Sequence, residues 1–343
     1  MANSLLTKTF HSLKNPKLLS PLSRHLATTA SAAASAAASA QDPSPPQSHA
    51  SSSSSSSSFT FADTASAADP NDVIHIKPGS PKTRSEAGSS SVTMPISFMT
   101  GSIVGKRFYN KVTTREADDG NGWTVMLDYR TLKTPAKRPL KLPSLALAKA
   151  IAAEWEYQLT DGIRPFTMPL MKLACTALER VPLTRPKIIE HLMKKFNQDL
   201  VFCRAPDDNN LTSDVHDRQV EKFDPLLEWV KLEFGFKPVV YSSFFGGKQE
   251  EGLVKAMEDL LKKTSDCELA AIDAIASAAH SLVIAVGMFC GKLDIEEAVA
   301  LSRLEEDFQV GKWGLVEGGH DIDIADLRVQ ISSAAVFLGL SGM

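Results

Sequence analysis

One stretch near the end of the chain concentrates side chains that bind metals or move protons. Residues 304–323 read LEEDFQVGKWGLVEGGHDID, with three acids in a row, then a Trp, a Glu, a His and two Asp. Carboxylates and one imidazole could hold zinc or a related ion if Glu305 and His320 converge with one of the Asp residues that follow. The same groups could form a general acid and base pair. This composition raises the hypothesis of an enzyme.

The spacing of these residues does not support that hypothesis. It matches no known metal site, and Gly318 and Gly319 leave the geometry before the histidine undetermined. The chain has no GxGxxG, GxSxG or HExxH pattern for a dinucleotide, a nucleophile or zinc. Its four cysteines are scattered without CxxC spacing, which predicts free thiols in a reducing compartment. We therefore expect no catalytic residue, no metal and no cofactor.

A predicted helix positions the first three acids, and its periodicity gives them different roles. On a wheel of 100° per residue, Glu306 and Asp307 point away from the apolar stripe and are expected to be solvated. Glu305 lies at the edge of that stripe, so its carboxylate either pairs with a nearby Lys or Arg or is offered to a partner. The stripe consists of Leu301, Leu304 and Phe308.

Helix boundaries account for most of the remaining charge. Asp294 followed by Glu297 predicts a capping box at the start of the helix that carries the stripe. Asp321 or Asp323 is expected to cap a last helix, over residues 322–340. These acids are then explained by local structure, and the position of Glu305 is not.

Charge and hydropathy argue against two classes of partner. The 343-residue chain carries 37 Lys and Arg against 40 Asp and Glu, which gives no electrostatic case for nucleic acid or for an anionic membrane. The most apolar segment, residues 269–290, is interrupted by Asp273 and His280. Its uninterrupted part is far shorter than the roughly 20 residues that a bilayer requires. We predict a buried helix there, with His280 as a satisfied core histidine, and no stable membrane insertion.

The first hundred residues are predicted to lie outside the folded core. Residues 1–40 are basic, Ser-rich and free of acids, with amphipathic spacing of leucines, which is typical of an organelle transit peptide. Residues 41–103 contain an unbroken serine run and too few apolar groups to offset the entropy of ordering. We predict a disordered linker there, with the folded part starting near Val104. Composition alone leaves mitochondrion and plastid open.

The folded part is predicted to be α+β. Two strands separated by the turn signal ADDGNG predict a hairpin, and the proline-bearing residues 131–143 predict an edge strand. From Ser144, the expected N-cap of the first helix, the periodicity becomes helical, and Trp155 falls on its core face. We expect a small β-rich domain with one helix over residues 104–166. An all-α domain of orthogonal or bundled helices follows over residues 167–343.

Four motifs, in this order, resemble one known family. They are LDYRTLKTPAKRPLKLPS, AAEWEYQ with I-x-P-x-x-MPL closely following, KFDPLLEW, and LEEDFQVGKWGLVEGGHD. Over residues 106–337 the chain is similar to the assembly chaperone of the mitochondrial ATP synthase catalytic head that handles the alpha subunit. The architecture of that family, a small β-containing domain plus a helical domain, agrees with the α+β prediction.

The resemblance implies a function without catalysis. Members of the family bind the unassembled alpha subunit and keep it from aggregating until the beta subunit takes their place. The implied protein is a chaperone of the mitochondrial matrix, monomeric when free, without a cofactor and without a nucleic acid partner. A plastid is the alternative location. A soluble organellar metal-dependent or acid–base enzyme using Glu305, His320 and Asp321 is the alternative function.

The resemblance also implies roles for particular residues. An acid of the LEE motif is important in the family, and it falls on Glu305 here. We predict partner binding by this residue together with Trp313, Glu317 and Asp321. The motif residues predicted to support the fold are Leu127, Pro135, Trp155, Met168, Pro169 and Trp229.

Overall fold

The folded region begins earlier than the composition predicts. The computed structural model describes residues 75–76, 91–206, 212–242 and 247–342, all of them within one compact unit. The predicted transit peptide and most of the predicted linker lie outside these residues. The expected start near Val104 is too late, because Val92 and Phe98 are buried in the core. The division between residues 166 and 167 stays a prediction.

A mixed sheet forms the β-rich part. Its strands in the described residues are β1 (His75–Ile76), β2 (Ser91–Thr93), β3 (Val112–Glu116), β4 (Trp123–Leu127) and β5 (Arg130–Lys133). They lie in the order β1-β2-β5-β4-β3, with β2 parallel to β5 and the other neighbours antiparallel. The predicted hairpin is present as β3 and β4. The predicted edge position of the next segment is wrong: β5 is an inner strand, and the prolines of the segment come after its last residue, so β5 itself contains none.

Helices make up most of the rest of the described chain, so the α+β class is confirmed. They are α1 (Leu145–Glu156), α2 (Pro169–Cys175), α3 (Val181–Phe196), α4 (Ser213–Phe234), α5 (Glu251–Lys263), α6 (Asp266–Ala278), α7 (Leu282–Phe289), α8 (Ile295–Ser302), α9 (Leu304–Trp313) and α10 (His320–Ser341). Short 3-10 turns lie at Ile96–Thr100, Pro165–Thr167 and Leu200–Phe202, and a π turn at Thr176–Arg180 joins α2 to α3.

The first helix ties the sheet to the end of the chain. Trp155 is fully buried, stacks on Phe98 with ring centroids 6.1 Å apart, and accepts a hydrogen bond at its carbonyl from the Tyr109 hydroxyl at 2.6 Å. Ser144 caps the first turn of α1, as the sequence predicts, and its hydroxyl donates to the carbonyl of Leu340 in α10. Sheet, first helix and last helix therefore share one core.

The other motif residues predicted to support the fold differ in burial. Leu127 and Met168 are buried, and Pro135, Pro169 and Trp229 are half-buried. Pro169 occupies the first turn of α2, where its missing N–H leaves no helical hydrogen bond unmade. Their supporting roles stay predictions.

The motif AAEWEYQ–MPL contains a cap that joins two helices. Glu154 on α1 accepts hydrogen bonds from the backbone N–H groups of Leu170 and Met171, both at 2.8 Å. These are first-turn donors of α2, which have no partner inside their own helix. Burial raises the pKa of the Glu154 carboxyl to about 7, although the two N–H groups lower it. Sequence patterns alone predict no role for Glu154, although it lies within the AAEWEYQ motif.

We expect Glu154 to make stability depend on pH. Its pKa in the unfolded chain is near the ordinary 4.5, so between about pH 4.5 and 7 the folded state holds a proton that the unfolded state has released. The stability that it contributes is fully present below about 4.5 and is lost as pH rises through about 7. Urea unfolding at several pH values should therefore show a free energy of unfolding that falls between about pH 4.5 and 7 and levels off above about pH 7. In Glu154→Gln that fall should be smaller, and an equal slope in both proteins would contradict the assignment.

The predicted buried helix over residues 269–290 is two helices, α6 and α7. The helical conformation is interrupted at His280, which has a positive φ of 52°. The residue is exposed, so the prediction of a core histidine is wrong. Ser281 then starts α7 by accepting the N–H of Ile284. Most residues of both helices are buried, so the apolar composition belongs to the packed core.

Among the described helices, α10 alone is long and apolar enough by composition to cross a membrane. It packs against α6, and Ile331, Ala334 and Phe337 are buried in the core. A packed helix of a folded unit passes the same test, so length and composition do not by themselves make α10 a membrane span.

Candidate functional site

Two of the three consecutive acids at the start of α9, Glu306 and Asp307, take part in a local ion-pair cluster. The capping box of Asp294 and Glu297 is present at the start of α8. The single helix expected from there is interrupted at Arg303, and α9 begins with the next residue. The buried Arg303 guanidinium pairs with Glu306 at 2.6 Å and with Asp307 at 3.1 Å. Both carboxylates are exposed, as predicted, but each is already held by a cation.

Glu305 differs from its neighbours. It is exposed, and its Oε1 accepts a hydrogen bond from Nε2 of Gln219 on α4 at 2.7 Å. Within the described chain no Lys or Arg forms an ion pair with it. The sequence left two outcomes open for this carboxylate, a local ion pair or availability to a partner. In the structure this carboxylate is exposed and is hydrogen-bonded to a neutral amide, and its availability to a partner stays a prediction.

Helix α9 is fixed on α4 through an aromatic ring. Phe308 is buried, with Nζ of Lys312 4.5 Å and the guanidinium carbon of Arg218 5.2 Å from its ring centroid. Cations over a ring face are attracted by its negative face. Lys312 also pairs with Asp214 of α4 at 3.1 Å. These contacts set the orientation of α9 and with it the position of Glu305.

An exposed apolar surface follows directly after Glu305 and its helix. Gly314, with a φ of 88°, ends α9, and a short linker leads to α10. Trp313 is 77% exposed, an unusual state for the largest apolar side chain. Exposed apolar patches of this kind mark interaction sites. We call the exposed apolar residues here the α9–α10 surface; they are Trp313, Leu315, Val316 and Ile322.

Exposed acids lie in the same segment of the chain as these apolar residues. Glu317 in the linker and Asp321 in the first turn of α10 are exposed, and the described residues include no ion-pair partner for either. The four residues predicted to bind a partner, Glu305, Trp313, Glu317 and Asp321, are therefore all exposed between the start of α9 and the start of α10. Their role in binding stays a prediction.

The start of α10 corrects one prediction. Neither Asp321 nor Asp323 caps the helix; it begins at His320, and no side chain caps it. The imidazole Nδ1 of His320 instead accepts the backbone N–H of Val316 at 3.2 Å, which closes the linker. The two acids lie inside the first turn, where negative charge is favoured by the helix dipole without a capping hydrogen bond.

The geometry gives no support to the alternative of a metal or acid–base site. Among the described residues, no group of three or more His, Cys, Asp and Glu side chains is placed to hold a metal ion. Glu305 contacts the Gln219 amide and His320 contacts the linker backbone, so the groups that such a site requires are bound elsewhere.

Comparison of sequences finds relatives that are named ATP12. The profile of the family described as ATP12 chaperone protein matches residues 106–231. The mitochondrial protein atp12 of Schizosaccharomyces pombe is 25% identical over 244 residues, which cover 67% of this chain and 81% of the relative. The mitochondrial protein ATP12 of Saccharomyces cerevisiae is 23% identical over 270 residues, covering 67% and 83%. Both names support a mitochondrial location for this chain.

Solved structures share the fold. The crystal structure of Atp12 from Paracoccus denitrificans matches with a TM-score of 0.63 and 29% identity, over 69% of this chain and 98% of that one. The Atu1473 protein from Agrobacterium tumefaciens matches with a TM-score of 0.63 and 30% identity, over 69% and 86%. The family profile, the curated relatives and the shared fold together show that this chain belongs to the ATP12 chaperone family, a family of ATP synthase assembly chaperones.

Proposed function

We propose that the protein binds the unassembled alpha subunit of the ATP synthase F1 head in the mitochondrial matrix. It prevents aggregation of that subunit until the beta subunit replaces it, and it does so without catalysis or a cofactor. Family membership supports an assembly chaperone, and the motif resemblance supports the alpha subunit as its client. The observation that carries the proposal is the α9–α10 surface, whose exposed apolar side chains follow, along the same helix and linker, the exposed carboxylate of Glu305, which has no ion-pair partner among the described residues.

The physical chemistry of this surface suits such a client. A subunit without its neighbours exposes apolar area that the assembled complex would cover, and such area aggregates. The apolar side chains of the chaperone can cover this area of the client. The acids Glu305, Glu317 and Asp321 would then select a client surface that has basic residues beside its apolar area. The complex must also come apart. Binding of the beta subunit to the same client can displace the chaperone by mass action, so no nucleotide is needed.

Reversal of the Glu305 charge is the direct test. We expect the mature protein, without ATP, to keep purified recombinant alpha subunit soluble in a light-scattering assay. Glu305→Lys should weaken binding of the alpha subunit about tenfold, and so protect it less, because the change places a cation against the basic flank of the client. Its circular dichroism should match the wild type, since the residue is exposed. Glu116→Lys makes the same charge change at an exposed site on β3 and should bind like the wild type.

Two results would contradict the proposal. If the wild type protects the alpha subunit no better than an inert protein does, the chaperone function is wrong. If the purified protein holds a stoichiometric, tightly bound metal, that result would favour the alternative of a metal-dependent enzyme.

Addition of the beta subunit to the soluble complex should release the protein, which size-exclusion chromatography measures.

A further inference from the structure

A glutamine occupies a core position on α4. Gln219 is 1% exposed and precedes Phe223 by one helical turn on the face that enters the core. A buried amide costs free energy unless its donor and its acceptor are both paired. An apolar residue would fill the same position without that requirement. The glutamine is therefore expected to provide a contact that an apolar side chain cannot.

The hydrogen bonds of Gln219 fix which way its amide points. Its Oε1 accepts the backbone N–H of Ala205 at 2.6 Å, and its Nε2 donates to Oε1 of Glu305 at 2.7 Å. A flipped amide would put its NH2 group against the N–H of Ala205 and its oxygen against a carboxylate. The NH2 group of Gln219 therefore donates to Glu305 and to no other acidic side chain in the described residues.

The backbone that orients this amide is itself held in place. Arg204, the residue before Ala205, is buried, and its Nη1 donates to the carbonyl of Val201 at 2.8 Å. Its Nη2 donates to Asp224 of α4 at 2.7 Å. The acceptor side of Gln219 thus rests on a segment that is bonded to the same helix, so the amide has little freedom to turn.

We propose that Gln219 is a positioning residue for partner binding. It holds one oxygen of Glu305 and leaves Oε2, which has no hydrogen bond within the described chain, to accept an Arg or Lys side chain of the client. This inference rests on the proposed function. A long side chain loses rotamer entropy when a partner immobilises it, and a carboxylate that is already held loses less. The same bond holds the charge on the helix that leads to the α9–α10 surface, so one client segment with apolar and basic side chains could contact both.

Replacement of the glutamine tests the inference. We expect Gln219→Met to weaken binding of the purified alpha subunit about three- to tenfold in an equilibrium assay. Gln219→Glu can still accept the N–H of Ala205 but cannot donate to Glu305, and it should weaken binding at least as much. The matched control is Gln249→Met. Gln249 is equally buried, and its amide is fully paired with the backbone of Val239, so its loss should affect stability and leave binding unchanged.

A double-mutant cycle separates positioning from a general structural effect. If Gln219 acts through the carboxylate, Gln219→Met should have no further effect on binding in a Glu305→Ala background. Equal weakening in both backgrounds would overturn the inference, and so would wild-type binding by Gln219→Met. Weakening by Gln249→Met of the same size would also overturn it.

The outcomes distinguish this inference from the proposed function. If the wild type binds the alpha subunit and Glu305→Ala binds equally well, the positioning role is wrong while the chaperone function stands. If the wild type does not bind, the proposed function itself is wrong. Circular dichroism of each variant at the assay temperature shows that the protein tested is folded.

Discussion

Trp313→Ser is expected to weaken binding of the alpha subunit at least about thirtyfold. Large aromatic side chains that become buried at the centre of an interface contribute most of its affinity, commonly about 2 kcal/mol or more each on truncation. Trp313 has the exposure that such a residue requires in the free protein, and it lies between Glu305 and Glu317 in the sequence. Fluorescence anisotropy or isothermal calorimetry with purified alpha subunit measures the change.

This replacement should leave the stability of the folded state almost unchanged. Because the side chain is 77% exposed, the free energy of unfolding should change by less than about 0.5 kcal/mol. Tyr157→Ser is the matched control, since Tyr157 at the end of α1 is 83% exposed and far from α9 in sequence. We expect it to bind the alpha subunit like the wild type. Equal weakening by both variants would mean that exposed aromatics act nonspecifically, and wild-type binding by Trp313→Ser would remove the α9–α10 surface from the interface.

Local chemistry explains which parts of the fold the sequence could predict. The β3–β4 hairpin follows from ADDGNG, and the start of α1 follows from Ser144, because each signal acts within a few residues. Strand β2 could not be found in this way. It is three residues long, and its parallel partner β5 follows about forty residues later, so only tertiary pairing reveals it. The alternation of Val92 and Met94 was a signal, but the surrounding serines concealed it.

The break at His280 was missed for a related reason. The composition of residues 269–290 is apolar on both sides of it, and periodicity alone cannot separate one buried helix from two. The turn depends on a positive φ at His280 and on the Ser281 cap, which is supported by an aspartate from a distant part of the chain. The cap residue Ser281 is visible in the local sequence, whereas its hydrogen bond to Asp199 exists only in the folded chain.

The candidate site divides in the same way. Helical periodicity put Glu305 at the edge of the core stripe and Glu306 and Asp307 away from it, and the exposure of the latter two agrees. Periodicity could not supply Gln219, which lies 86 residues away in sequence and reaches Glu305 only through packing of α4 on α9. It also could not say that Arg303 is buried and holds the two exposed acids.

Removal of the Asp199 carboxylate is expected to cost about 3–5 kcal/mol of unfolding free energy. The side chain is buried and accepts hydrogen bonds from the Ser281 hydroxyl at 2.6 Å, from Val283 N–H at 3.0 Å and from Val201 N–H at 3.1 Å. It thereby joins the 3-10 turn after α3 to the first turn of α7, the most apolar helix. Burial raises its pKa to about 6, and the donors that surround it oppose that shift. Asp199→Ala leaves those donors unpaired, at about 1–3 kcal/mol for each buried group.

Asp294→Ala gives the scale for this effect, because Asp294 has a similar function in exposed surroundings. It caps α8 by accepting the N–H of Glu297 at 2.8 Å, where water can replace it. Loss of an N-cap of that kind costs about 1 kcal/mol. Urea unfolding followed by circular dichroism should therefore show a much larger fall in the midpoint for Asp199→Ala than for Asp294→Ala. Equal midpoints for the two variants would mean that water reaches the Asp199 site and that its burial does not determine its contribution to stability.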